Sequence, residues 1–91
     1  MDQFSIVIPI YNEEQNILIL YKEISESLKQ FNEYEIIFVN DCSIDSSEKE
    51  IDKLLINKNV AKYSNIKNMG QSYSIKFGIS KSNYDTIVTM D

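Results

Sequence analysis

The sequence predicts an α/β fold, a parallel sheet with flanking helices, on three observations. Short apolar runs recur at Phe4–Ile10, Tyr34–Val39, Val60–Ser64 and Thr86–Met90. Between them lie segments whose apolar residues recur at three- and four-residue steps, the spacing of an amphipathic helix. The connections are short, and strands alternating with helices at this spacing form βαβ units, which build a parallel sheet.

The first run, FSIVIPI, is β-branched and suits a central strand, with Pro9 near its end because proline cannot donate to a ladder. Asn12 is read as an N-cap with Gln15 completing a capping box, and Glu13 and Glu14 stand where a helix dipole favours acids. The first helix is therefore expected from about Glu13 to Gln30. Ile17, Leu20, Tyr21, Ile24, Leu28 and Phe31 form its packed stripe, while Lys22, Glu23, Glu26 and Lys29 face water.

The second run, YEIIFVNDCSID, is the most informative segment. Its almost wholly apolar start suits a strand buried on both faces, and its end turns abruptly into Asn40, Asp41, Cys42, Ser43 and Asp45. Asp45 with Glu48 reads as a second capping box, launching a helix that carries Ile51, Leu54 and Leu55 and ends at Asn57–Asn59. Val60–Ser64 is an edge strand. Asn65–Gly70 is a polar loop into a third helix containing Ile75, Phe77 and Ile79. Thr86–Met90 is the fourth strand, and its uncovered position at the end of the chain leads us to expect a fragment of a longer protein.

Composition excludes several functions. The chain has 91 residues and 43% hydrophobic content, that of one small folded domain. Net charge is −5 and all nine basic residues are Lys, so no forked Arg contact to phosphate or guanine exists and a nucleic-acid surface is not expected. With no His and one Cys, there is no Ser-His or Cys-His nucleophile and no ordinary zinc site. Any metal would be a hard cation held by oxygen. Cys42 alone cannot form an intramolecular disulfide, the N-terminus does not read as a signal peptide, and no apolar stretch is long enough to span a membrane. A cytoplasmic setting is expected.

In a parallel sheet every carboxyl end faces one crevice, so Glu13, Asp41 and Asp91 are expected to gather there. Gathered carboxylates bind a divalent cation or accept from N–H and hydroxyl donors of a base or ribose. Each also has a plainer role. Glu13 can be a dipole residue, Asp45 a helix cap, Ser43 part of a turn, Gly70 a backbone requirement, Lys67 a solvated side chain and Tyr11 a packed aromatic. Asp41 is harder to explain so, since it follows a buried strand, is no N-cap and faces no obvious Lys. No glycine-rich phosphate loop is present, which disfavours a P-loop NTPase or a dinucleotide-binding domain.

FSIVIPIYNEEQNI, YEIIFVNDCSIDSS, NIKNMGQSYSIKFGI and DTIVTMD together resemble the amino-terminal part of family 2 glycosyltransferases. The likeness is strongest to the branch of dolichol-phosphate mannose synthase and polyprenyl-phosphate sugar transferases. It implies the Rossmann-like, nucleotide-binding half of an A-type glycosyltransferase domain over residues 1–91. It also implies that Pro9, Tyr11 and Glu13 line a nucleotide pocket, with Val39 and Asp41 at the base and Asp41 accepting from a ring N–H. Lys67 and Gly70 fall in the family's Arg-Asn-x-Gly segment, with Lys for Arg, and Cys42 stands where Gly is frequent. Asp91 falls on the first acid of an Asp-x-Asp motif, implying a Mg²⁺ or Mn²⁺ ligand.

The implied reaction is transfer from a UDP- or GDP-linked sugar to a polyprenyl phosphate or a glycan, in cell-envelope polysaccharide synthesis. The setting would be the inner face of the membrane, through segments beyond residue 91. The second acid and the acceptor half would also lie beyond Asp91, so the 91 residues alone are expected to be inactive. Two other classes stay open on the residues: a non-catalytic nucleotide-binding module, and an acid-pocket receiver domain, whose pattern wants a Lys after its last acid.

Overall fold

The computed structural model describes residues 3–31 and 33–90. It contains β1 (Gln3–Ile10), α1 (Ile17–Ser27), β2 (Glu33–Asn40), α2 (Ser47–Leu54), β3 (Val60–Ser64), α3 (Gln71–Ser80) and β4 (Ile87–Thr89). The four strands form one parallel sheet in the order β3-β2-β1-β4. The α/β expectation is met, and β3 is an edge strand as its mixed composition implied.

Period-two alternation divides the buried residues between two faces. Ile6, Ile8 and Ile10 with Ile36 and Phe38 pack on one face against Ile17 and Ile24 of α1 and Ile51 and Leu54 of α2. Val7, Ile37 and Val39 look the other way, toward Phe77 of α3 and Ile87. Helices on both faces explain why β1 and β2 read as nearly continuous apolar runs. The chain steps β1, β2, β3 in one direction and then returns across the sheet to β4. Crossovers of constant hand that reverse direction must change face, which places α3 opposite α1 and α2.

Three local features fix this arrangement. Glu35 accepts from Ser5 Oγ at 2.6 Å and from the Asn83 N–H at 2.6 Å, pinning the α3–β4 connection to the amino edge of the sheet. Lys62 on β3 pairs with Asp52 at 2.6 Å and Glu48 at 2.8 Å on α2. A Lys on an edge strand also discourages pairing with another chain. Pro9 shares the parity of Ser5 and Val7, whose backbone groups serve β4, and β4 pairing ends at Val7 with Thr89, so the missing N–H removes no ladder bond.

Two expected boundaries move. α1 starts at Ile17, not Glu13, because Asn12 adopts a left-handed φ of 52° and lends its side chain to another loop, so no Asn12–Gln15 capping box forms. It ends at Ser27, the chain leaving through a turn closed by Phe31 N–H on Leu28 O at 2.9 Å. The second capping box does not form: Ser46 is the N-cap of α2 and makes no side-chain cap bond, Asp45 one residue earlier accepts from Ser47 N–H at 2.9 Å in a local turn, and Glu48 reaches Lys62 instead of turning back. Leu55 lies just past the end of α2 and Ile79 near the end of α3, and each is 40% exposed.

Candidate functional site

β1 and β2 run in register from Gln3 opposite Glu33 to Ile10 opposite Asn40, so their carboxyl ends emerge side by side. Asp41 N–H extends the pairing by one bond, to Ile10 O at 2.8 Å. Both following turns need a left-handed residue, supplied by Asn12 and by Cys42 at φ 59°. Asn tolerates this conformation; Cys carries a steric cost there.

The two turns are laced together. Asn12 N–H donates to Ser43 Oγ at 3.0 Å, Glu13 N–H to Ser47 Oγ at 2.8 Å, and Glu14 N–H to Asp45 Oδ2 at 3.3 Å. In the other direction Ile44 N–H donates to Asn12 Oδ1 at 3.0 Å and Ser46 N–H to Glu14 Oε1 at 2.7 Å. Burial raises the pKa of Asp45, but the Ser47 hydroxyl and N–H and the Glu14 N–H lower it further, leaving it below its ordinary value of 3.8. Asp45 thus closes the turn before α2 and laces it to the turn after β1. Ser47, fully buried, positions Glu13, a role no sequence signal announced.

Asp41 is only 4% exposed. Its Oδ1 accepts from Met69 N–H at 2.7 Å and Asn65 Nδ2 at 2.8 Å, and its Oδ2 from Gly70 N–H at 2.9 Å. Burial pushes its pKa up, yet these three donors outweigh that and hold it below 3.8, so it is a carboxylate at neutral pH. Gly70 has φ 95° and ψ 165°, a region essentially restricted to glycine. A Cβ there would meet nothing within 4 Å, so the backbone, not space, requires glycine.

A cavity of about 150 Å³ opens beside Asp41, lined by Pro9, Ile10, Tyr11, Glu13, Asp41 and Gln71. Of the residues singled out in the sequence, the structure brings Pro9, Tyr11, Glu13 and Asp41 together here. Gly70 stands next to this group through its bond to Asp41. Val39 does not reach the cavity; its side chain is buried under α3. Lys67 is exposed in the loop after β3 and does not line it. Asp91 lies outside the described residues. Asn65, Ser74 and Gln71 were not anticipated, and only the polar character of the Asn65–Gly70 loop hinted at them.

Among the described residues no three acids or other metal-binding side chains stand together. None of the described helices is long and apolar enough to cross a membrane. The arrangement can bind a flat polar ring: an aromatic at the mouth, an ionised carboxylate in the wall, and apolar strand ends beneath.

Replacing Cys42 with Gly is expected to raise stability by about 0.5–1 kcal/mol, since relief of left-handed strain exceeds the added freedom of the unfolded chain. An unchanged or lower urea midpoint would contradict this account of the turn.

A doubly wound parallel sheet with a cavity at the carboxyl ends of its central strands defines an open α/β domain, the class that takes its ligands at that edge. The chain belongs to glycosyl transferase family 2, whose family model matches residues 5–91. It is 33% identical over 94 residues to an undecaprenyl-phosphate 4-deoxy-4-formamido-L-arabinose transferase of Proteus mirabilis, covering 100% of this chain and 29% of that protein. It is 35% identical over 92 residues to a prophage bactoprenol glucosyl transferase homolog of Escherichia coli, covering 98% and 30%. The chain therefore spans less than a third of the length of these relatives. Among solved structures, S. aureus TarS 1–349 in complex with UDP superposes with a TM-score of 0.87 at 23% identity, over 98% of this chain and 27% of that one. A mannosyltransferase from Pyrobaculum calidifontis in complex with GDP-Man and Mn²⁺ gives 0.79 at 14% identity, over 89% and 24%. The Rossmann-like expectation for the fold is met.

Proposed function

We propose that this chain is the nucleotide-sugar-binding part of a glycosyltransferase that moves a sugar from a UDP- or GDP-linked donor to a polyprenyl phosphate or a glycan. The observation that carries the reading is the cavity at the ends of β1 and β2, with the ionised Asp41 in its wall, in a chain of this family. Two relatives are named for transfer involving undecaprenyl phosphate or bactoprenol, and two similar folds hold UDP or GDP-Man.

In this reading Tyr11 stacks on the base, Asp41 accepts from its ring N–H, and Pro9 and Glu13 shape the wall. Val39 contributes from beneath, as part of the buried strand that aims Asp41. Gly70 shapes the loop beside the diphosphate, and Lys67 supplies a cation there without the two-pronged geometry of Arg. A divalent cation, Mg²⁺ or Mn²⁺, with Asp91 as one ligand, belongs to the proposal and is supported by the Mn²⁺ of the mannosyltransferase structure. When bound, such an ion offsets charge developing on the departing diphosphate. Acceptors of this kind imply work at the cytoplasmic face of a membrane, in the synthesis of envelope polysaccharide.

The 91 residues are expected to bind nucleotide without catalysing transfer, because they span so little of their relatives. Titration with UDP and GDP, followed by tyrosine fluorescence, checks the first half. Absence of any response at millimolar nucleotide would reject the base pocket. Metal-dependent nucleotide release from a nucleotide-sugar would reject the second half.

A further inference from the structure

Asp41 is the one acid among the buried polar residues described, and its two oxygens are unequally used. Among the described residues, Oδ1 takes two donors, Asn65 Nδ2 and Met69 N–H, whereas Oδ2 takes one, Gly70 N–H. A carboxylate oxygen offers about two acceptor positions, so Oδ1 is filled and Oδ2 keeps one. The Asn65 amide nitrogen also donates to Ser74 Oγ at 3.0 Å, which spends its second hydrogen. Ser74 is fully buried on α3, and its hydroxyl donates in turn to Gly70 O at 2.9 Å. The backbone of Asn65 is anchored as well, its N–H donating to Asn40 O at 2.9 Å. Every hydrogen of the Asn65 amide is thus assigned, and the side chain has one orientation.

We infer that Asn65, held by Ser74, is a positioning residue that sets base selectivity: by filling Oδ1 it leaves Asp41 one open acceptor, on Oδ2, toward the cavity. This rests on the nucleotide reading above. A ring that carries an N–H at the facing position satisfies that acceptor. A ring of the same size with a bare nitrogen there sets a lone pair against a carboxylate, and both groups lose their water. Uracil and guanine are of the first kind; cytosine and adenine are of the second. Without Asn65 the carboxylate can turn and present either oxygen or a bound water, which blurs the distinction.

The test is a pair of titrations, UDP against CDP and GDP against ADP, followed by amide NMR on the 91-residue chain. Wild type is expected to favour the N–H-bearing member of a pair by about tenfold or more, the value of one hydrogen bond to a charged group. In Asn65→Leu the preference should shrink to about twofold or less, mainly through weaker binding of the favoured nucleotide. Ser74→Ala keeps the Asn65–Asp41 bond but releases the other amide hydrogen, and should fall between. A residue of merely structural importance would weaken both members alike, so a folded Asn65→Leu with the wild-type ratio overturns the inference. If Asn65→Leu does not fold, an unchanged ratio in Ser74→Ala overturns it. A wild-type chain that binds none of the four, or binds both members equally, rejects the base pocket itself, a result visible without any variant.

Discussion

Asp41→Ala is expected to lower stability by about 3–4 kcal/mol and to abolish nucleotide binding, because three donors would lose one shared acceptor. Met69 N–H, Gly70 N–H and the Asn65 amide all converge on its carboxylate, and the side chain is almost wholly buried. Each orphaned donor costs on the order of 1–3 kcal/mol, and partial access of water to the loop keeps the sum at the lower end. A domain of this size holds roughly 5–14 kcal/mol in total, so the variant should fold but unfold at markedly lower urea. A midpoint loss worth under about 1 kcal/mol would show that the loop is held by something else.

The acid limb gives an independent check. The folded pKa of Asp41 lies below 3.8, so its contribution is fully present above the unfolded value and is lost as pH falls through the folded one. Wild-type stability should therefore decline as the pH drops past 3.8 and continue downward. The Ala variant should be flatter over the same interval.

Gly78→Val is the second large effect, expected to cost about 3 kcal/mol through overpacking. α3 lies on the sheet at Gly78, where an added Cβ would collide with Val7 Cγ1 and come within 3.1 Å of Val39 Cγ2. Both neighbours are fully buried β-branched residues with little freedom to turn aside. In an exposed helix, replacing Gly with Val would gain about 0.4 kcal/mol in propensity, so a destabilising result separates packing from helix preference. For a domain this small, the loss should appear as a fall in melting temperature on the order of 10–20 °C. An unchanged melting temperature would mean that α3 can lift off the sheet without penalty.

The sequence was most legible where one force dominates. Burial on both faces made β1 and β2 readable, and the three-and-four stripe of α1 holds in the structure, with Ile17 and Ile24 buried and Leu20, Tyr21 and Leu28 packed beside them. Legibility failed where short polar residues had two possible partners. Asn12 has every local attribute of an N-cap, but Ile44 N–H lies 3.0 Å from its side chain across the loop, and that distant donor wins. Glu48 likewise goes to Lys62, a partner that exists only once β3 has docked.

The site shows the same division. Asp41 stood out because it breaks an apolar run, and Tyr11 and Glu13 because they follow a strand directly. Asn65, Ser47 and Ser74 gave no such signal. Their importance comes from hydrogen bonds spanning 24, 34 and 9 residues, which no local pattern encodes. Val39 and Lys67 illustrate the converse. A motif places them near the pocket in the chain, but strand alternation turns Val39 away, and Lys67 sits at an exposed loop position.

The route of the chain through the sheet also bears on the order of assembly. β1, β2 and β3 are neighbours in sequence as well as in space, so each can zip onto the last after a short search. β4 has no such advantage: Ser5 pairs with Ile87, and nearly the whole chain must already be in place before that contact forms. Its three residues pair with β1 alone among the described strands, so it rests on the fewest ladder bonds in this sheet. The cavity lies at the ends of β1 and β2 and takes none of its described lining from β4, so its walls do not depend on that strand.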